Sequence, residues 1–151
     1  MRRALYIVTA AAIAASTLSA PAMAADLVYD GDSMLAEGAK GKPYWMIQAQ
    51  CSGFFGATSA YMAERGDADG ADKAKVQGVA FFRDAVDRLV RDRKLTRPAA
   101  IEAVSQAVDA GRQEGLQKIK DGGGLQPRSH WNVARSVCLD VNDAYKTVRY
   151  R

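Results

Sequence analysis

Apolar residues recur at steps of three and four through most of this chain, the spacing that lines one face of an α-helix. Tyr44, Ile47, Cys51, Phe54, Thr58 and Tyr61 fall on one such stripe and predict a helix over residues 43–65. Gly66 and the turn Asp67-Ala68-Asp69-Gly70 stop it. A second stripe, Val76, Val79, Phe82, Val86 and Leu89, predicts a helix from Ala71 to Leu95. Thr96-Arg97-Pro98 is a helix start, because a threonine oxygen accepts orphan amide bonds and a proline in the first turn sacrifices no intrahelical donor. The third helix then spans residues 97–121, with Ile101, Val104, Val108, Leu116 and Ile119 facing inward, and Gly122-Gly123-Gly124 ends it. Ser129 caps a fourth helix whose stripe is Trp131, Ala134, Cys138, Val141, Tyr145 and Val148. Four helices with short connections predict an all-α, up-down-up-down four-helix bundle over residues 43–151.

Ahead of the bundle the pattern changes twice. Residues 1–24 open with Arg2-Arg3, continue as an alanine-rich apolar run and end in Ala22-Met23-Ala24, which is the layout of a cleavable signal peptide cut after Ala24. No cysteine stands at that junction, so a lipoprotein is not expected, and the destination is the periplasm or the medium. Residues 25–42 have neither the length nor the periodicity to fold alone and read as a flexible N-terminal arm. Asp32 or Ser33 there is a candidate cap for one short helix that would lay Met34 and Leu35 on the body.

The two cysteines each lie on the core stripe of their own helix, Cys51 on the first and Cys138 on the fourth. Those helices are antiparallel neighbours in such a bundle, and an exported chain meets an oxidising compartment, so a Cys51–Cys138 disulfide is expected. A catalytic dithiol is not, because the two are far apart in sequence and sit mid-helix.

Charge and motifs mainly exclude. The chain carries 21 basic and 17 acidic residues, and removing Arg2 and Arg3 leaves 19 against 17. Opposite charges alternate four apart along Asp84, Arg88 and Asp92, a solvated helix face and not a nucleic-acid stripe. With a single histidine, His130, there is no material for a hydrolytic triad, a zinc helix or a di-iron pair, and no enzymatic activity is expected. Asp67-Ala68-Asp69-Gly70 misses calcium-loop spacing, with the glycine at the fourth place instead of the sixth. No cofactor and no stable membrane insertion after signal cleavage are expected.

Two constellations point toward binding. Met62 on the first helix and His130 on the last fall at a similar height, and this resembles in topology and residue type the cytochrome b562 family, which implies axial haem ligation. The chain departs from that family in its core disulfide and in placing His130 at the start of its helix. The second constellation is small residues inside helices: Ala49, Gly53, Gly56 and Ala60 on the first, Ala100, Ala103, Ala107, Gly111 and Gly115 on the third. Each interior glycine costs about 1 kcal/mol against alanine, so their number suggests close backbone approach or a docking groove for a partner's helix or a second copy. Phe55 and Phe81 lie off the main stripes and are expected to rim that groove.

Trp45, Cys51, Phe54 and Phe55 with a distant second cysteine resemble the acid-stress periplasmic chaperones, small helical proteins with one disulfide. The expectation is an exported, non-enzymatic helical protein acting through protein–protein contact, as inhibitor, immunity, adaptor or stress-protective protein. The alternatives are a haem or small-ligand carrier and an acid-stress chaperone.

Overall fold

The computed structural model describes residues 25–121 and 123–151; the signal peptide expected over residues 1–24 lies outside them. A 3-10 segment, Met34–Ala39, precedes four helices: α1 (Tyr44–Glu64), α2 (Ala68–Arg93), α3 (Arg97–Asp121) and α4 (His130–Val148). Local chemistry sets the boundaries. Gly66, with φ +81°, turns the chain out of α1, and the Asp67 carboxylate then accepts from the Gly70 amide at 2.9 Å to start α2. The Ser129 hydroxyl accepts from the Asn132 amide at 3.2 Å to start α4.

The chain is a helical bundle in which α1 is the central element, packed on α2, α3 and α4. From Tyr44 to Thr58 only Met46, Gln50 and Gly56 escape burial. A helix apolar on one face is enough for a surface element, whereas one enclosed on three sides needs apolar or small residues all round.

Between α1 and α4 the contacts repeat every seven residues with opposite sense. Tyr44 meets Tyr145 with ring centroids 5.3 Å apart, Cys51 is bonded to Cys138 with Cα atoms 5.7 Å apart, and the Trp131 indole N–H donates to the Thr58 hydroxyl at 2.9 Å. This antiparallel seam carries the expected disulfide at its midpoint.

The α1–α3 contact is built on glycine. A Cβ placed on Gly53 would lie 1.8 Å from the Val108 carbonyl oxygen, and one on Gly111 would lie 1.9 Å from that of Gln50. The two backbones therefore touch, and any side chain at either position would force them apart. α2 sits nearly as close: a Cβ on Gly78 would lie 3.2 Å from the Ser52 carbonyl oxygen.

That closeness turns part of each bulky stripe toward solvent. On α2 the buried positions are Ala71, Ala74, Gly78, Phe81, Ala85, Val86 and Leu89, with the charged pair Arg88 and Asp92, while Val76 and Val79 are 70% and 44% exposed. On α3 the buried residues are Ala100, Val104, Gly111, Gly115 and Ile119, and Ile101 and Leu116 face solvent. Glycine stands at the points of closest approach because valine or leucine there would hold the axes further apart, and bulky Phe81, Val86, Leu89, Val104 and Ile119 fill the interfaces elsewhere.

Residues 25–43 lie against the bundle. The Asp26 carboxylate accepts from the Trp45 indole and from the Arg93 guanidinium, at 3.1 and 2.9 Å, and the Leu27 amide donates to Asp92 at 2.9 Å. Tyr29 is fully buried, edge-on to Tyr44. The 3-10 segment departs from expectation: Met34 is 91% exposed and Leu35 is exposed too, while Ala36 and Ala39 are the buried pair. Ser33 makes no cap; its hydroxyl donates to Asp140 on α4 at 2.6 Å.

Candidate functional site

Where α2 and α3 diverge over α1, an open groove of about 390 Å³ remains. Its floor is α1, from Ser52 through Gly53 and Gly56 to Ser59. Gly78, Val79 and Phe82 of α2 form one wall, Val108 of α3 the other. Lys75 and Arg112, the only charged residues of the lining, stand on opposite walls.

The glycines on this floor differ in what they accommodate. Gly53 is buried against α3, so the expected small-residue surface is in large part consumed inside the bundle, as are Gly111 and Gly115. Gly56 is the exception: it is exposed, and a Cβ added there meets no atom within 4 Å. Ala60 is half-buried one turn further on, in a separate surface depression with Tyr61 and Leu125.

Phe55 and Phe81 do not rim the groove. Both are buried, 5% and 1% exposed, and stack on each other between α1 and α2 at 5.6 Å. They lie off the bulky stripes, but the interface is registered on Gly78 and Ala74, which turns Phe81 inward onto Phe55. Of the groove residues periodicity misplaces Val79, which is 44% exposed, while Phe82 packs half-buried on the core as its place in the stripe predicts; Gly78 beside Val79 signals that the helix faces a close backbone there.

The Met62 and His130 pair is not assembled as two inward ligands. His130 is exposed at the first position of α4, while Met62 packs partly buried against the core. The space between α1 and α4 at this height is filled by Trp131, stacked 6.1 Å from Phe54 and bonded to Thr58. Among the described residues no group of three or more His, Cys, Asp or Glu side chains is placed to hold a metal ion.

A second cleft, of about 410 Å³, opens between α3 and α4 beside the 3-10 segment. The disulfide lies in its lining, with Leu35, Val133 and Val137 nearer its mouth. Glu114 and Lys118 on its edge pair with each other at 3.3 Å.

Buried polarity is concentrated near the opposite end of α1. Arg88 and Asp92 form an ion pair that is almost wholly buried. The Tyr44 hydroxyl and both amide atoms of Gln48, one turn apart, are buried without a hydrogen-bond partner. Burial, aided by Asp30 and Tyr29, pushes the Tyr44 phenol up to about 12. These groups lie inside the fold and present nothing to solvent.

Searches of protein-family models, curated proteins and solved structures return no match to this chain. No helix of the described residues is long and apolar enough to cross a membrane.

Proposed function

We propose that this chain is an exported, non-enzymatic protein, an up-down-up-down bundle that works by docking another macromolecule on the groove over Gly56. One observation carries this reading. A glycine in the middle of α1 costs about 1 kcal/mol against alanine, and at Gly53 close packing on α3 explains it, whereas at Gly56 there is open space. Val79 beside it exposes apolar surface to water. An open floor with an apolar wall is suited to an inserted segment of a partner. Export rests on the signal-like pattern of residues 1–24, and the disulfide supports an oxidising destination.

The test is site-specific photocrosslinking in the producing cell. A photoreactive side chain at Val79 is expected to give a discrete protein adduct. The adduct should disappear when Gly56→Leu fills the floor, and a probe at exposed Glu102 should give none. Identical patterns from Val79 and Glu102 would remove the groove as the contact surface.

The acid-stress chaperone reading has one observation in its favour. Asp26 fastens residues 25–29 to α1 and α2 through a carboxylate, so acid would loosen the segment that carries Tyr29. Suppression of client aggregation at pH 3 but not at pH 7 is the result that reading requires.

A further inference from the structure

The groove over Gly56 is polarised along its length, and the polarity specifies an occupant. Ser59 bonds to the Ala71 carbonyl, while Gly78 abuts Ser52, so α2 descends as α1 rises. Lys75 is therefore level with Phe55 and Gly56, and Val79 and Phe82 lie toward the other end. On the opposite wall Gly111 abuts Gln50 and Gly115 abuts Phe54 and Ala57, so α3 rises with α1 and Arg112 stands nearer the Lys75 end than Val108 does. One end is thus apolar and the other carries two cations. Both are exposed, and neither belongs to an ion pair among the described residues. Arg88, Arg93, Arg97 and Lys118 of the same two helices do pair with acids, but none of them lines this groove.

We propose that the groove over Gly56 binds an acidic amphipathic helix of a partner protein, with apolar side chains against Val79, Phe82 and Val108 and carboxylates beside Lys75 and Arg112. This rests on the docking reading above and adds the chemistry of the partner. The floor from Ser52 to Ser59 is two helical turns, about 10 Å at 1.5 Å per residue, the span of anchors at i, i+3 or i+4, and i+7. Charge complementarity across the cationic end then sets the polarity of the bound helix and speeds its encounter. A free acyl chain with one carboxylate shares the chemistry but not the shape. Ligand pockets bury most of a small molecule, whereas this groove is open along its length.

The experiment uses the oxidised protein purified after expression of the full chain, with two fluorescent 15-residue helical peptides as probes. Both carry the same leucine face; one has a glutamate polar face, the other lysine. Fluorescence anisotropy is expected to show the glutamate peptide binding at least tenfold more tightly than the lysine peptide, with affinity falling as salt rises. Lys75→Glu with Arg112→Glu should reverse the preference. Gly56→Leu should weaken the glutamate peptide at least tenfold, with the helical circular dichroism signal retained. Equal binding of both peptides, or binding indifferent to Gly56→Leu, overturns the proposal, and so does laurate displacing the glutamate peptide at comparable concentration. A Val79 adduct in cells without glutamate-peptide preference overturns the acidic helix alone and leaves the docking reading standing. Absence of both overturns the two together.

Discussion

Two aspartates on this surface respond to acid in opposite senses. Asp26 accepts from Arg93 and Trp45, and those bonds, chiefly the one from Arg93, hold its carboxyl below the ordinary value of 3.8. A depressed folded-state value means the ionised form contributes stability above the unfolded value, and that contribution fades as pH falls through the folded one. Asp26→Asn is expected to lower the melting temperature at pH 7, with the gap to wild type closing below pH 3.8. Asp84 is the reverse: desolvation raises its carboxyl above 3.8, with Asp87 adding to burial against Arg149 and Lys146. Its charge opposes folding above the folded value, and the opposition disappears once the carboxyl is protonated. Asp84→Asn should therefore raise the melting temperature at pH 7 and change little below pH 3.8. Thermal melts of the two variants across pH 2.5 to 7 check both signs. The Tyr44 hydroxyl, buried and unpartnered, supplies a third case: Tyr44→Phe removes an unmet polar group and should be neutral or stabilising by up to about 1 kcal/mol in urea titrations.

At the scale of elements, glycine separates packing from function. Gly53→Ala and Gly111→Ala should each lower unfolding free energy by about 2 kcal/mol or more, because each inserts a methyl where two backbones touch. Gly56→Ala should raise it by about 1 kcal/mol, since the space is open and only helix propensity changes. Chemical denaturation of the three variants decides this, and a loss at Gly56 would deny that the floor is free. The same contrast explains what was legible in the sequence. The extents of α1, α3 and α4 and the inner stripe of α4 follow from periodicity, caps and glycine stops. The stripes of α2 and α3 follow only in part: Val86, Leu89, Val104 and Ile119 are buried as their spacing predicts, but Val76, Val79, Ile101 and Leu116 are exposed, because periodicity follows bulky residues and the closest contacts use Ala74, Gly78, Gly111 and Gly115. The groove, lined by three helices, cannot be drawn from one helix at a time.

For the molecule as a whole, the bond between Cys51 and Cys138 holds the peripheral helix to the central one. Its loop spans 87 residues, and loop-closure entropy gives such a crosslink about 4.6 kcal/mol. Cys51→Ser with Cys138→Ser should lower the unfolding free energy by an amount of that order in urea titrations, and a negligible change would show that the Trp131 and Tyr145 contacts alone hold α4. The bond also makes a closed ring of everything between, with α2 and α3 inside it and only the two ends of the chain as tails. Continuity of the backbone and unity of the molecule are thereby separate properties. A single tryptic cut after Arg128, exposed and held at φ +67° in the turn before α4, would open the ring without releasing a fragment. The nicked protein should run as one species on a gel without reductant and as two with it, so a cell that damages this loop keeps the whole protein until something reduces it.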